Sequence, residues 1–466
     1  MPVDRGPRRR RWLPLLAAGA LLVVRAVSAQ SAPYDATVQR VVVDSVLGHL
    51  DRAYVFADTA AAMARAIRVH QSGYAAIETP LAFADTLTAH LQAVSQDVHL
   101  RVLYDPDRYA ALLSPALPDP DQEAASSARR LAAKRARNYG FREVEMLDGG
   151  IGYVDLVRMD TPDGEGGARA VAAMTLVADA EALIIDLRTN PGGDGRMNQF
   201  LSSFFFGDSN ERWLMTNVDR AAGTERQEWT LPFVPGRRMP ETPLYLLVGP
   251  GTGSAAEGFA YGLQALGRAT VVGRPTAGGA HSGGFVPLAE GFVAFIPSGR
   301  VLNPITGSNW ERDGVEPDLV AHTADALAHA LRLIWEDRQS VATTAAERDR
   351  AAWALDVLRA QLNPVSIGAA DLRDAPGQYE GAWEIWVESG ALHGRKGAGA
   401  AMSQALVPLG NGLFVLEGPD LFGVGEGNAR ARFVRDDSGR VVAMETLIRF
   451  SPTQVATFRD ERFGTD

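Results

Sequence analysis

The sequence predicts an α/β protein with a helical N-terminal subdomain and a small β-rich C-terminal domain. Three observations carry this. The first is a helical spacing of apolar residues near the N-terminus, with Val41, Val42, Val43, Val46, Leu47 and Leu50 in one stretch. The second is a middle region in which short, near-continuous apolar runs alternate with helical segments. The third is a C-terminal stretch of short alternating runs broken by glycine turns.

The elements follow in order. The segment from about 35 to 95 reads as helices, ending with a run from Pro80 to Val94 just before Asp97-Val98-His99-Leu100. Pro115 to Asn138 is charged and alanine-rich, an exposed helix or a linker. Ile151 to Leu156 reads as a strand after an Asp-Gly-Gly turn. Ala168 to Ala178 reads as a helix, and another begins near Met197. Ala182 to Arg188, Leu244 to Val248 and Ala269 to Gly273 are apolar runs of the kind found in strands buried on both faces. Strands alternating with helices imply crossover connections and a sheet whose carboxyl ends form the site. Two glycine-rich turns lie at such ends, Asn190-Pro191-Gly192-Gly193 and Gly249 to Gly253. A helical tail runs from about Ala321 to Leu362, and Asn363 to Gly377 reads as a linker. Tyr379 to Phe463 reads as a small barrel or sandwich. The expected organisation is a leader over 1–29, a helical subdomain over 30–105, an α/β core over 145–335, a helical tail and linker over 336–376, and a β-rich domain over 377–466.

The leader is read from its pattern. Arg8 to Arg11 form a basic cluster, Trp12 to Val24 an apolar run, and Val27-Ser28-Ala29 a small-residue cleavage site. The apolar run falls short of the ~20 residues that span a bilayer. An uncleaved N-terminal anchor is the other reading. Export, to a periplasm or the medium, is the expectation, with no membrane-spanning segment after removal of the leader. The whole chain of 466 residues carries a formal charge of -10. Without the leader, which holds six Arg and one Asp, the remainder is near -15. An acidic surface of this kind offers no footprint for nucleic acid, whose binding rests on Lys and Arg facing phosphates. There are no cysteines, which excludes disulfides and thiolate metal sites. No His, Asp or Glu cluster has metal-ligand spacing, and no glycine-rich loop ends in Lys-Ser/Thr. No cofactor or metal is expected.

Ser254 follows an apolar strand and a Gly-Thr-Gly turn and opens a helix. A hydroxyl there sits at the positive end of a helix dipole, beside backbone N–H groups free to bind an oxyanion. The same segment, Ser254-Ala255-Ala256-Glu257, also fits a capping box. A nucleophilic serine needs a base. Of the eight histidines, His49, His70, His90, His322, His329 and His393 lack suggestive neighbours. His99 ends a helical run beside Asp97, and His281 lies in the glycine-rich loop Gly278 to Gly284. Spacing does not choose between them. The Gly192-Gly193 turn can aim N–H groups at a site, or it can be an ordinary turn.

Taken together, five blocks in order resemble the tail-specific (C-terminal processing) serine peptidases. They are Gly-Tyr-Val-Asp-Leu (152–156), Ile-Ile-Asp-Leu-Arg-Thr-Asn-Pro-Gly-Gly (184–193), Gly-Thr-Gly-Ser-Ala-Ala-Glu (251–257), Gly-Arg-Ala-Thr-Val-Val-Gly (267–273) and Asp-Gly-Val-Glu-Pro-Asp (313–318). The resemblance covers roughly residues 35 to 330 and implies a crotonase/ClpP-like ββα superhelix. It implies a Ser254 nucleophile, with an oxyanion hole from the N–H groups of Ala255 and of Gly192 or Gly193. The Lys of the Ser-Lys branch, in a Thr-x-Gly-Lys-Gly block, is replaced by Gly279. No stretch between His99 and Gly152 reads as the PDZ domain of that branch.

The tricorn-core and interphotoreceptor retinoid-binding-protein-like branch is more similar. It implies His99 as base and Glu311 as the completing carboxylate, with His281 the alternative base. The Ser that orients the base there has no match, because Val98 precedes His99; Asp97 is the available substitute. The resemblance implies a serine endopeptidase acting on protein or peptide substrates, and the leader pattern makes it an exported one. An inactive lipid- or peptide-binding module, or an esterase-type hydrolase, would share the same scaffold. Oligomeric state has no sequence signal.

Overall fold

The structure is a computed structural model, and it describes residues 34–114, 120–208, 211–397, 403–410, 412–418, 428–451 and 454–464. The leader predicted over 1–29 lies outside the described residues. Among them, no helix is long and apolar enough to cross a membrane.

Helices α1 (Ala36–Ala53), α2 (Ala57–His70) and α3 (Pro80–Ser95) open the chain. Asp35 caps α1 by accepting from the N–H groups of Thr37 and Val38, and Thr79 caps α3 ahead of Pro80. Val42, Val46 and Leu50 of α1 are fully buried against Met63, Ile67, Phe83 and Leu87. Each such side chain contributes about 1.5–3 kcal/mol of burial. Strand β1 (Arg101–Tyr104) and helices α4 (Pro106–Leu113) and α5 (Pro120–Ala136) follow. The charged stretch after 115 is therefore helical from Pro120, and its helix buries no side chain.

The core runs through β2 (Phe141–Leu147), β3 (Ile151–Leu156), α6 (Glu165–Leu176), β4 (Ala182–Asp186), α7 (Gly195–Ser202), β5 (Trp213–Asp219), β6 (Thr224–Trp229), β7 (Leu244–Val248), α8 (Ala255–Ala265), β8 (Ala269–Gly273), β9 (Ser282–Pro287), β10 (Phe292–Leu302) and β11 (Leu319–Val320). One sheet has the order β11-β8-β7-β4-β3-β2, parallel except for the β3–β2 pair. Its inner strands β3, β4, β7 and β8 are largely apolar because both faces are covered. Leu183 and Ile185 of β4 face α6, α7 and α8, whereas Ala182 and Ile184 face the two helices that follow β11. The second sheet, β1-β10-β5-β6 with β9 on β10, packs Phe292, Ala294 and Ile296 onto the N-terminal helices.

Two helices, α9 (Ala326–Val341) and α10 (Ala345–Leu362), form the tail, separated by a short break where Thr344 caps α10. A further turn of helix, α11 (Ala369–Asp374), occupies part of the segment read as linker.

The C-terminal domain is a meander of β12 (Gly377–Tyr379), β13 (Trp383–Glu388), β14 (Ala391–Lys396), β15 (Ser403–Gly410), β16 (Leu413–Glu417), β17 (Ala429–Arg435), β18 (Val441–Ser451) and β19 (Gln454–Glu461). A bridge between Tyr379 and Arg462, with Phe463 N–H donating to Gln378 O at 2.9 Å, joins its first strand to its last. The sheet thus curls into a barrel around Trp383, Tyr379, Leu392 and Phe414. It docks on α10, where the Arg430 guanidinium carbon lies 3.7 Å from the Trp353 ring centre and Arg430 Nη1 donates to Asp356 Oδ2 at 2.9 Å.

Candidate active site

The carboxyl ends of β3, β4, β7 and β8 carry four loops along one edge of the parallel sheet. Asn190, fully buried, ties three of them. Its side chain donates to Leu156 O at 2.8 Å and accepts from Gly192 N–H at 2.9 Å, and its carbonyl accepts from Gly253 N–H at 2.9 Å. Gly192 has φ +93°. A Cβ there would lie 2.8 Å from Ser254 Cβ and 2.9 Å from Ala255 N, so glycine lets this turn rest directly on Ser254.

Ser254 is exposed and sits at the N-cap of α8 with φ +50° and ψ −118°. An N-cap normally takes an extended backbone, and Asp35, Thr79 and Thr344 in this chain do. Ser254 is thus in a strained conformation that a cap does not require. The capping box is nonetheless present, and its carboxylate arm is short, with Ser254 N–H to Glu257 Oε2 at 2.6 Å.

Glu257 does more than close that box. It is fully buried and also accepts from Thr276 Oγ1 and Gly278 N–H, both at 2.6 Å, and from Gly279 N–H at 3.0 Å. One carboxylate therefore fixes the backbone of Ser254 and of the Gly278-Gly279 loop together. His99 lies against that loop. A Cβ built on Gly279 would meet His99 Cε1 at 2.9 Å and Nε2 at 3.1 Å.

Asp97 is the hub on the other side. Its Oδ1 accepts from His99 N–H at 3.0 Å and lies 3.7 Å from His99 Nδ1. Its Oδ2 pairs with His281 Nδ1 at 2.8 Å and accepts from Tyr54 Oη at 3.2 Å. Burial opposes its ionisation, but the hydrogen bonds from His281 and His99 outweigh burial and hold the carboxyl well below the usual range. The Asp97 carboxylate in turn raises the proton affinity of His99 above that of an ordinary imidazole, against the opposing effect of burial. Burial raises Glu311, partly offset by His281 and by the Ala280 N–H.

The residues singled out in the sequence are thus placed as follows. Ser254, Ala255 and Gly192 meet at the head of α8, and Gly193, next in the turn, bridges to Met159. His99 and His281 share Asp97; His281 is the more enclosed, with its side chain 4% exposed against 31% for His99. Glu311 Oε2 accepts from the N–H groups of Ala280 and His281 at 2.7 and 3.0 Å, pinning the loop that carries His281. Gly192 N–H is spent on Asn190, whereas among the described residues no hydrogen bond occupies Gly193 N–H. Although no ligand spacing is visible in the sequence, Asp97, His281 and Glu311 gather with one ligand atom each within 4.8 Å of one another. They come from three distant segments, which a search by spacing cannot join. Glu257 and Asn190 were missed as site residues because each has an adequate local role, in a capping box and a turn. A cleft of about 830 Å³, lined by Trp335, Trp353 and Phe450, lies between the helical tail and the barrel, away from these residues.

Residues 150–321 match peptidase family S41, and residues 36–132 match the N-terminal domain of peptidase S41 in eukaryotic IRBP. The chain thus carries a peptidase S41 domain, preceded by a segment that matches the N-terminal domain found in that family. It is 29% identical over 172 residues to the chloroplastic carboxyl-terminal-processing peptidase 3 of Arabidopsis thaliana, a match covering 37% of this chain and 32% of that protein. The chain thus spans less than a third of that relative. Among solved structures, the photosystem II D1 C-terminal processing protease is similar at 19% identity and TM-score 0.40, covering 61% of this chain and 93% of that one. The tricorn protease is similar at 14% identity and TM-score 0.37, covering 62% of this chain and 35% of that one.

Proposed function

We propose that the protein is a serine endopeptidase in which Ser254 is the nucleophile and His99 the base. The observation that carries this is the backbone of Ser254. A serine that served only to cap α8 would gain nothing from φ +50°. A nucleophile at a sharp strand-to-helix turn gains an exposed hydroxyl next to free N–H groups.

The steps are then simple. Ser254 Oγ attacks the peptide carbonyl and passes its proton to His99, which delivers it to the leaving amine. The N–H groups of Ala255 and Gly193 hold the oxyanion, a contribution of about 3–4 kcal/mol per donor in sites of this type. Water, deprotonated by His99, hydrolyses the acyl-enzyme. Asp97 takes the orienting place left open by the missing Ser. Glu311 holds the 280–281 backbone and stabilises the charge that develops on His99. His99 is preferred to His281 because it is the more accessible and rests against Gly279, whose N–H shares Glu257 Oε2 with Ser254.

Export belongs to the same proposal, on the basic, apolar and small-residue pattern of 1–29. N-terminal sequencing of the protein recovered outside the cytoplasm tests it; a start at Met1 in that fraction argues against cleavage. For the chemistry, a fluorophosphonate probe should label wild type and His393→Ala but not Ser254→Ala. Labelling should fall in His99→Ala and persist in His281→Ala at a higher level. Folded protein that never labels defeats the proposal, and loss confined to His281→Ala reverses the choice of base.

A further inference from the structure

We infer that Asp97, His281 and Glu311 form a site for a divalent transition-metal ion of the Zn²⁺ class, and that the ion inhibits the protein when bound. The side chains are 1%, 4% and 8% exposed, so two carboxylates and one imidazole are nearly dry together. His281 Nδ1 is 2.8 Å from Asp97 Oδ2 and 3.7 Å from Glu311 Oε1. A single proton on Nδ1 can satisfy Asp97 only. Among the described residues Glu311 Oε1 is buried with no hydrogen-bond partner, although Glu311 Oε2 is fully used by two backbone N–H groups. An unpaired buried carboxylate oxygen is costly. A dication in place of that proton would serve both carboxylates at once, with the ring proton carried on Nε2.

The donor set decides the class of ion. One nitrogen and two carboxylate oxygens suit Zn²⁺ and its first-row neighbours, with positions left for water. Ca²⁺ and Mg²⁺ prefer all-oxygen shells. The outer contacts that orient ligands are also in place. Tyr54 Oη donates to Asp97, His99 N–H donates to Asp97, and Ala280 and His281 N–H donate to Glu311. The inhibitory part rests on the functional reading above. A bound dication takes up the Asp97 carboxylate, the group that receives His99 N–H at 3.0 Å and that the proposed reaction uses to orient the His99 ring.

The test uses the purified full chain and ZnCl₂, with CoCl₂ as a spectroscopic probe. Calorimetry should show one equivalent bound, and Co²⁺ should give visible absorption bands. Glu311→Gln and His281→Gln should each weaken binding by about 100-fold or more, the scale on which even outer-shell losses are felt. His90→Ala should bind normally; His90 stacks on His70 at 4.1 Å and is the natural surface competitor. Because the buried variants can lose stability, Zn²⁺ is also titrated against melting temperature, which should rise for wild type and not for folded Glu311→Gln. Absence of saturable binding overturns the inference, as does binding that survives Glu311→Gln and is lost in His90→Ala. Zn²⁺ should suppress fluorophosphonate labelling of wild type, and EDTA should restore it. Saturating Zn²⁺ that leaves labelling unchanged overturns the inhibitory part. Wild type that binds Zn²⁺ but never labels defeats the peptidase reading alone.

Discussion

The imidazole of His99 occupies the space above the Cα of Gly279, so close that no Cβ fits between them. Gly279 is the position that the sequence resemblance matches to the lysine of the Ser-Lys branch. A side chain at 279 and the His99 ring exclude one another here, and glycine admits the ring. Gly279→Ala should displace His99 without unfolding the protein, because the clash is with the outer end of a partly exposed side chain. A displacement of about 1 Å in a catalytic group costs roughly 100-fold in rate. Turnover of a peptide substrate should fall on that scale while the circular dichroism spectrum is unchanged. Full activity in Gly279→Ala would show that His99 is not positioned by this contact. Gly279→Lys should be no better, since the new side chain meets the same ring.

Ser254 pays for its position in backbone energy. A non-glycine residue held at φ +50° and ψ −118° is strained by about 1–3 kcal/mol. Ser254→Gly relaxes the strain but loses the hydroxyl, whereas Ser254→Ala loses the hydroxyl and keeps the strain. Urea unfolding should find the glycine variant more stable than the alanine variant by about 1 kcal/mol, with neither labelled by a fluorophosphonate. Equal stabilities would remove the strain argument.

What could be read in advance followed from burial and from local order. The strands Ile151–Leu156, Ala182–Asp186, Leu244–Val248 and Ala269–Gly273 stand out because both faces of their sheet are covered, which makes the runs continuously apolar. The hairpin of Trp213–Asp219 and Thr224–Trp229 does not stand out, since Thr224–Trp229 is almost entirely exposed and reads as a polar loop. Ser254 was visible from its turn and from the blocks around it. The pairing of Asp97 with His281, 184 residues apart, was not, because nothing local to either residue calls for it. Closure of the barrel through Tyr379 and Arg462 is likewise nonlocal.

Glu165 supplies a pH-dependent tie between α5 and α6. Arg135 and then Tyr139 hydrogen-bond its carboxylate and hold its pKa at about 2, below the ordinary 4.5. A depressed carboxylate contributes stability that is present above its unfolded value and is lost as pH falls through its folded value. The contribution should therefore be complete above pH 4.5 and vanish as pH falls toward about 2. Carbon-detected NMR of the Glu165 carboxyl should give the low midpoint, and Arg135→Ala should move it back toward 4.5. A midpoint near 4.5 in wild type would mean that the ion pair is screened away in solution.

Glu257 is the side chain on which the two halves of the site depend most directly. Its Oε2 receives Ser254 N–H and Gly279 N–H, and its Oε1 receives Thr276 Oγ1 and Gly278 N–H, all in a fully buried position. Four donors therefore point at one carboxylate. Glu257→Gln replaces one accepting oxygen by an NH₂ group that faces donors, so at least one buried N–H loses its partner whichever way the amide turns. Each buried donor left unsatisfied costs about 1–3 kcal/mol, more where a charged acceptor is lost. Denaturant unfolding should show Glu257→Gln destabilised by about 3 kcal/mol or more. The loss of activity should exceed what the unfolded fraction explains, because Ser254 and the Gly279 loop are no longer held to one point. Measuring kcat and KM at a temperature where the variant is fully folded separates the two effects. A folded Glu257→Gln with wild-type kcat would mean that Ser254 and His99 keep their positions without this carboxylate.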